Sequence, residues 1–400
     1  MDKAEDEMRF RKPERKLKVA ILGTRGVPAA YGGFETLAEE LGARLADRGH
    51  AVTVYGRRQW IQYRGRYYRG MRIVLLPTIR GKYLDTVFHT FISTIHAAFL
   101  RFDAALMCNA ANSVFTILLR FAGTKTALNV DGIERLRKKW NALGKLWYLL
   151  GENLAVRFPH RIVSDADVIR RYYEERYGAR STFIAYGADG GRASTTGALA
   201  KAGVEPRRYV LYVARLEPEN NAHVVIRAFE KVETGMKLVI VGHAPYGARY
   251  IRGLKETADP RIIFTGGLYG LPYRELQSNA YLYVQASEVG GCHPALIEAM
   301  GFGNCVIVND TPENRETVGD AGVAYRFNDA DDLAAKIRNL IGDPQEASRL
   351  GRLAADRAGK HFSWADVADR YEALFYDMVE GGRSGGKRAR LTGDSQPDGG

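Results

Sequence analysis

The stretch VGGCHPALIEAMGFG, Val289–Gly303, combines residue types that can hold an anion beside a pair of hydroxyls. An apolar run ends at Gly290-Gly291, passes Cys292 and His293, and becomes a helical pattern at Pro294. Proline fits the first helical position because the N–H it lacks would have no partner there. The amides around Cys292–Leu296, His293 and Ala295 among them, then make a place for negative charge at the helix start. Glu298 follows about one turn later, within reach of hydroxyls on whatever carries that anion. Anion site and carboxylate together suit a sugar nucleotide, with the diphosphate at the helix end and the ribose diol on the glutamate. Taken alone, the stretch favours a packed strand-to-helix corner with an exposed glutamate.

Two other places could join this chemistry. GTRGVPAAYGGFE, Gly23–Glu35, follows an apolar run and opens a helix, so Gly32-Gly33 can let backbone approach a phosphate. VARLEPENN, Val213–Asn221, puts Arg215 just past the end of a strand, where its planar fork suits a diphosphate. A dinucleotide fingerprint would need G-x-G-x-x-G, whereas Gly23 and Gly26 stand three apart. The second strand ends in Tyr55-Gly56-Arg57, without the acid that holds an NAD ribose. Arg57 suits a 2′-phosphate, so an NADP-dependent oxidoreductase stays as a competing expectation. No G-x-x-x-x-G-K-[ST] occurs, which removes a P-loop.

The elements that must position these residues come in two series. KVAILG, AVTVYG, DAALMC, KTALNV and RIVSD are short apolar runs separated by helical patterns such as FETLAEELGARLADRG. The stretch from Tyr186 to Glu205 is rich in Gly, Ser, Thr and Ala, and then YVLYVARL, KLVIVG, RIIFTG, AYLYVQA and NCVIVN begin a second series. Such alternation predicts an α/β chain of two doubly wound units, with ligands beyond the carboxyl ends of the strands. The expected divisions are a disordered tail over 1–16, a first Rossmann-like, acceptor-side domain over 17–187 and a linker over 188–205. A second, nucleotide-sugar-binding domain follows over 206–361, then a helix over 362–380 that returns to the first domain, and a disordered tail over 381–400.

The 400 residues carry a formal charge of +12 with an ordinary 46% apolar content. Three cysteines without metal-type spacing fit a reducing compartment. No run approaches the roughly 18 apolar residues that span a bilayer, and the first residues lack a signal-peptide core. The expectation is a cytoplasmic protein. Arg57–Lys82 holds eight basic residues and no acidic one, interleaved with Trp60, Tyr63, Tyr67 and Tyr68. That segment reads as a solvated basic hairpin or as a face meeting anionic headgroups. A nucleic-acid binder is the weaker expectation, because the charge accompanies a two-domain cleft rather than a recognition element.

Taken together these residues resemble the GT-B glycosyltransferases of family 4. The landmarks are YGGFET, DGIERLRKKW (Asp131–Trp140), FIAYGAD (Phe183–Asp189), VARLEPENN, FTGGLY (Phe264–Tyr269) and VGGCHPALIEAMGFG, in order across both domains. The DG-E-x-x-R-x-KW and PENN forms are most similar to a bacterial branch that includes rhamnosyltransferases of surface-polysaccharide assembly. The resemblance implies a retaining, metal-independent transferase using a nucleotide-diphosphate sugar and a lipid-linked saccharide or glycan acceptor. It implies association with the inner face of the plasma membrane and no nucleic-acid partner. Gly32 and Gly33 would approach the donor diphosphate, Arg215 would stabilise the leaving phosphates, and Glu298 would hold the ribose. The turn Gly290, Gly291, Cys292, His293, Pro294 and Ala295 would bind phosphate or sugar, and Gly266, Gly267 and Leu268 would contact the base. Asp131 stands where many relatives carry a histidine facing the reacting sugar. Asn220 stands where the family commonly has a second cation, a lysine. Gly290 replaces the first of two glutamates eight apart, with Glu288 displaced by two. Asn314-Arg315-Glu316 is expected near the cleft without a role.

Overall fold

The computed structural model describes residues 15–81, 84–138 and 140–384. Its first strand shows why two covered sheets form. In β1 (Lys18–Leu22) the four residues Val19–Leu22 are fully buried, the signature of a strand covered on both faces. Around it lie β2 (Ala51–Arg57), β3 (Tyr67–Tyr68), β4 (Met71–Leu76), β5 (Ala104–Cys108), β6 (Lys125–Asn129), β7 (Arg161–Ser164) and β8 (Thr182–Phe183). Their order is β3-β4-β2-β1-β5-β6-β7-β8, parallel except for the β3–β4 pair. Val19 is flanked by Val52 on one side and Ala104 on the other.

The second sheet comprises β9 (Tyr209–Val213), β10 (Lys237–Val241), β11 (Ile262–Gly266), β12 (Leu282–Gln285), β13 (Cys305–Asn309) and β14 (Val323–Tyr325). Its order is β11-β10-β9-β12-β13-β14, all parallel. In each sheet the first strand sits where the winding reverses, β1 between β2 and β5, and β9 between β10 and β12. A crevice opens beyond the strand ends at such a reversal. Gly23–Gly33 follows β1 and Arg215 follows β9, so both face it.

The helices that matter here are α1 (Gly33–Asp47), α2 (Leu84–Leu100), α3 (Thr116–Phe121), α4 (Ala142–Ala155), α5 (Asp167–Tyr177), α6 (Gly197–Ala202), α7 (Gly270–Ser278), α8 (Pro294–Gly301) and α9 (Trp364–Ser384). The last of these leaves the second unit and packs in the core of the first. Ala368, Tyr371 and Phe375 are buried beside α1 and β6, and Asn129 Nδ2 donates to Tyr371 Oη at 3.0 Å. Arg48 and His50 hold its outer edge through Glu372, at 2.6 and 2.7 Å.

Some expected boundaries shift. The stretch 188–205 is no open linker, because α6 buries Ala198, Leu199 and Ala202, and Ala198 N donates to Glu275 at 2.5 Å. Of the expected tails, 1–14 and 385–400 lie outside the described residues. Arg15 is paired with Asp103, Lys16 Nζ reaches Arg48 O at 2.9 Å, and α9 runs on to Ser384.

Candidate active site

Between the sheets lies a cleft of about 1060 Å³ lined from both sides. Its walls include Gly32 and Gly33 from the first domain and Gly290–Ala295 from the second. The glycines allow the two domains to touch. A Cβ on Gly132 would lie 2.6 Å from the carbonyl carbon of Gly290, and one on Gly33 would lie 2.9 Å from Pro294 Cγ. A Cβ on Gly291 would fall on the Asp165 carboxylate. Gly291 thus answers to the opposite domain, whereas a Cβ on Gly290 would strike the His293 ring of the same corner.

Arg215 lies on the cleft wall with its guanidinium 5.6 Å from the centre of the Tyr31 ring, whose face Arg25 covers at 3.3 Å. Burial works against its charge, but Glu217, Tyr31 and Glu134 outweigh that and hold the pKa well above the ordinary value. Beside it stands Arg137, from the Asp131–Trp140 stretch of the first domain, close enough for each guanidinium to feel the other. Arg137 Nε donates to Glu134, whereas its Nη1 makes no hydrogen bond and lies 3.9 Å from Glu219 Oε1. Despite burial, Glu134 keeps Arg137 charged. Two adjacent cations, Arg137 buried with an unspent N–H and Arg215 partly exposed to the cleft, constitute a site for a multiply charged anion. His293 is pushed down to about 3 by burial and by these two arginines, so it lines the cleft as a neutral imidazole.

Asn220 faces the cleft but is already engaged: Nδ2 donates to Arg215 O at 2.6 Å and Oδ1 accepts from Ser287 Oγ at 3.0 Å. It fixes the Arg215 backbone and brings no charge. Glu288 turns away to Lys138 Nζ at 2.6 Å and Asn328 Nδ2 at 2.7 Å. Glu298 accepts from Tyr273 Oη, which Gln277 Nε2 supports at 3.2 Å. Burial pushes the Glu298 pKa up to about 7, against the pull of Tyr273.

Asp131 takes a left-handed backbone at φ 52°, its amide donating to Asn129 Oδ1 at 3.0 Å. Its side chain meets Asp165, and burial followed by their mutual repulsion raises Asp165 well above the carboxylate range. Asp131 is raised by burial too, so the pair holds a shared proton more tightly than free carboxylates would.

Several expectations need correction. Cys292 N donates to Asp165 Oδ2 at 2.9 Å and Leu296 N to His293 O at 3.0 Å, so those two amides are spent. The anion site of α8 narrows to the amides of His293 and Ala295. Gly266 stays outside the cleft, its carbonyl paired with Gly242 N at 2.9 Å, while Gly267 and Leu268 line it. Asn314-Arg315-Glu316 does not reach the cleft. Asn314 is buried against Asn309 O, Arg315 pairs with Asp310, and Glu316 accepts from the amides of Asp167 and Val168 at 2.6 and 2.9 Å. Glu316 thereby caps α5 of the other domain. The basic hairpin is partly spent as well. Arg57 pairs with buried Asp85 at 2.7 Å and Arg69 with Glu40 at 2.5 Å, while Trp60, Tyr63 and Tyr68 line the cleft. Arg137, Tyr31, Tyr273 and Asp165 were not singled out from sequence, although Arg137 lies inside the quoted DGIERLRKKW.

Comparison with known proteins accords with this arrangement. Residues 199–357 match the family Glycosyl transferases group 1, and residues 106–189 match a domain of unknown function, DUF1972. The chain is 30% identical over 166 residues to the O-antigen chain mannosyltransferase B of Escherichia coli, covering 39% of this chain and 42% of that one. It is 28% identical over 200 residues to a glycogen synthase of Mycobacterium tuberculosis, covering 47% of each. The matches therefore span about half the length of these curated relatives. In structure it is similar to the sucrose-phosphate synthase of Thermosynechococcus elongatus, with a TM-score of 0.78 at 18% identity, over 92% of this chain and 100% of that one. The fold is GT-B, and a Glycosyl transferases group 1 domain forms most of its second half.

Proposed function

We propose that the protein is a glycosyltransferase that moves a sugar from a nucleotide-diphosphate donor to a lipid-linked saccharide or glycan acceptor. The observation that carries this is the convergence of Arg215, Arg137 and Glu298 on one cleft between two Rossmann-like sheets. The diphosphate lies against the guanidiniums and the amides of His293 and Ala295, the ribose diol meets Glu298, and the base reaches Gly267-Leu268. The sugar then faces Asp131, which shares a proton with Asp165 behind it. As the glycosidic bond to the diphosphate breaks, negative charge grows on the leaving oxygen, and two preorganised cations stabilise it. The departing phosphate takes the proton of the attacking acceptor hydroxyl on the same face, which yields retention. A 6-deoxy donor such as a rhamnosyl nucleotide is compatible with the resemblance of the DG-E-x-x-R-x-KW and PENN forms to the surface-polysaccharide branch.

A panel of nucleotide sugars tests this. One donor should raise the melting temperature and then turn over with membrane extract, and turnover should continue in EDTA because the arginines supply the positive charge. If no member of the panel shifts the melting temperature, the proposal fails. Turnover lost in EDTA and restored by magnesium would leave the transferase but remove the arginine-only mechanism.

A further inference from the structure

Helix α2 is built inside out. The face turned to the sheet carries Asp85, His89, Thr90, Ser93 and Thr94, all buried. Leu84, Phe91, Ile95 and Phe99 stand on the solvent side, spaced as one helical stripe. Two of the inner polar groups have partners in the sheet: Asp85 pairs with Arg57, and His89 Nε2 lies 3.0 Å from Gly56 O, whereas the buried Thr90 and Thr94 hydroxyls make no hydrogen bond among the described residues. Helix α4 repeats the inversion, burying Gly144, Tyr148, Gly151 and Glu152 while exposing Leu143, Leu146 and Leu150. Between them the 3₁₀ turn Ala110–Phe115 packs on both helices, with Phe91 and Phe115 ring centres 6.0 Å apart and Ser113 Oγ donating to Gly151 O at 2.8 Å. Next to that turn, α3 holds out Phe121 at 83% exposure; Phe99 is 82% and Leu143 72% exposed. A folded chain does not leave a surface of this size and composition to water without a use.

The charge around it names the occupant. Arg101, Arg120, Lys145 and Arg157 are exposed at its rim. The only carboxylates in α2, α3 and α4 are Asp85 and Glu152, and both are buried, Glu152 among Arg135, Tyr172 and Tyr177. Two copies face to face would oppose like charges, whereas apolar side chains ringed by cations match an anionic lipid surface. No helix among the described residues is long and apolar enough to cross a membrane, so such a surface lies on the bilayer. We infer that the outer faces of α2, α3 and α4 dock the protein on an anionic bilayer. The basic stretch from Arg57, described as far as Gly81 with Lys82 outside the described residues, is then a secondary contact. The surface continues toward the cleft through exposed Leu136, in a turn that packs on α4 and adjoins Arg137. On the transferase reading, a lipid-borne acceptor would then meet Asp131 from this side.

Cosedimentation with vesicles of phosphatidylcholine containing roughly one-third phosphatidylglycerol tests the surface without any donor. Wild type should bind these vesicles and bind pure phosphatidylcholine far less. The variant Phe99→Gln/Phe121→Gln/Leu143→Gln/Leu146→Gln should lose at least about tenfold in partitioning at unchanged melting temperature, because all four side chains are already solvent-exposed. Reversing Arg64 and Arg66 in the hairpin should leave binding within about twofold. Equal binding by the quadruple variant overturns the inference. So does a wild type that ignores vesicles and forms a dimer which the variant dissolves. A protein that binds vesicles yet transfers no sugar would refute the proposed function and leave this surface standing.

Discussion

Arg137 and Arg215 hold adjacent positive charge in a wall where burial disfavours it, and the carboxylates behind each hold its pKa above the ordinary value. Such a pair stores a field that an anion relieves, most of all when a leaving diphosphate gains charge. Replacing either arginine with glutamine should lower kcat by about 10²–10³-fold, the range for removing one preorganised charge stabiliser. Affinity for a nucleoside diphosphate should fall much more than for the monophosphate, and titration of both ligands checks this. If Arg137 only braced its loop, both ligands would weaken alike. Glu298 differs in kind, since it meets the ribose in ground and transition states alike. Glu298→Ala should weaken nucleoside-diphosphate binding by about 1.5–3 kcal/mol. With its pKa pushed up to about 7, the carboxylate is protonated below that pH and ionised above it. Donor affinity should therefore rise as pH passes upward through 7. Glu298→Gln should flatten that profile; an unchanged slope in the variant would remove Glu298 from the ribose site.

At the scale of elements, the corner Val289–Gly303 was legible because its instructions are local. An apolar strand, a Gly pair and a Pro at the helix start each act within a few residues. What could not be read locally is what the opposite domain contributes. The amide of Cys292 is taken by Asp165, more than 100 positions away, and α5 is capped by Glu316 of the other domain. Arg137 was hidden among the cations of ERLRKK, and only the turn Glu134–Leu136 and its pairing with Glu134 select it. Helices α2 and α4 show a further limit. Periodicity reveals a stripe, but it does not tell which side of the stripe meets the core, and here the sheet has taken the polar side. The domain contact makes its own prediction. Gly132→Ala drives a methyl into the Gly290 backbone, so the cleft walls must part, at about the 1–3 kcal/mol of overpacking. The KM for donor should rise severalfold while the melting temperature moves little, since the strain is relieved by opening; an unchanged KM would show that the walls need not meet.

Across the whole molecule the titrating groups fall into two sets with opposite effects on stability. Glu372, Glu40 and Glu288 join distant segments to Arg48 and His50, to Arg69 and Arg44, and to Lys138; despite burial these partners hold all three below the ordinary glutamate value. Their contribution is fully present above the unfolded glutamate pKa of about 4.3 and is lost as pH falls through the lower folded values. Glu298 and Asp131 of the cleft wall, and Asp165 beside Asp131, behave oppositely, because burial raises all three. Folding favours their protonated forms, so stability should decline as pH rises from the unfolded pKa toward the folded ones. The melting temperature should thus peak in mildly acidic solution and fall on both sides. The alkaline fall is the part owed to these three carboxyls, whose protonated forms burial favours. Asp165→Asn keeps an oxygen for the Cys292 amide and removes the proton shared with Asp131. Melting curves from about pH 5 to about pH 8 should decline for wild type and decline less steeply for Asp165→Asn, in which Glu298 still titrates. Parallel curves would mean that the pair is not coupled to folding, and the cleft would then lack the protonated carboxyl that the donor sugar is proposed to face.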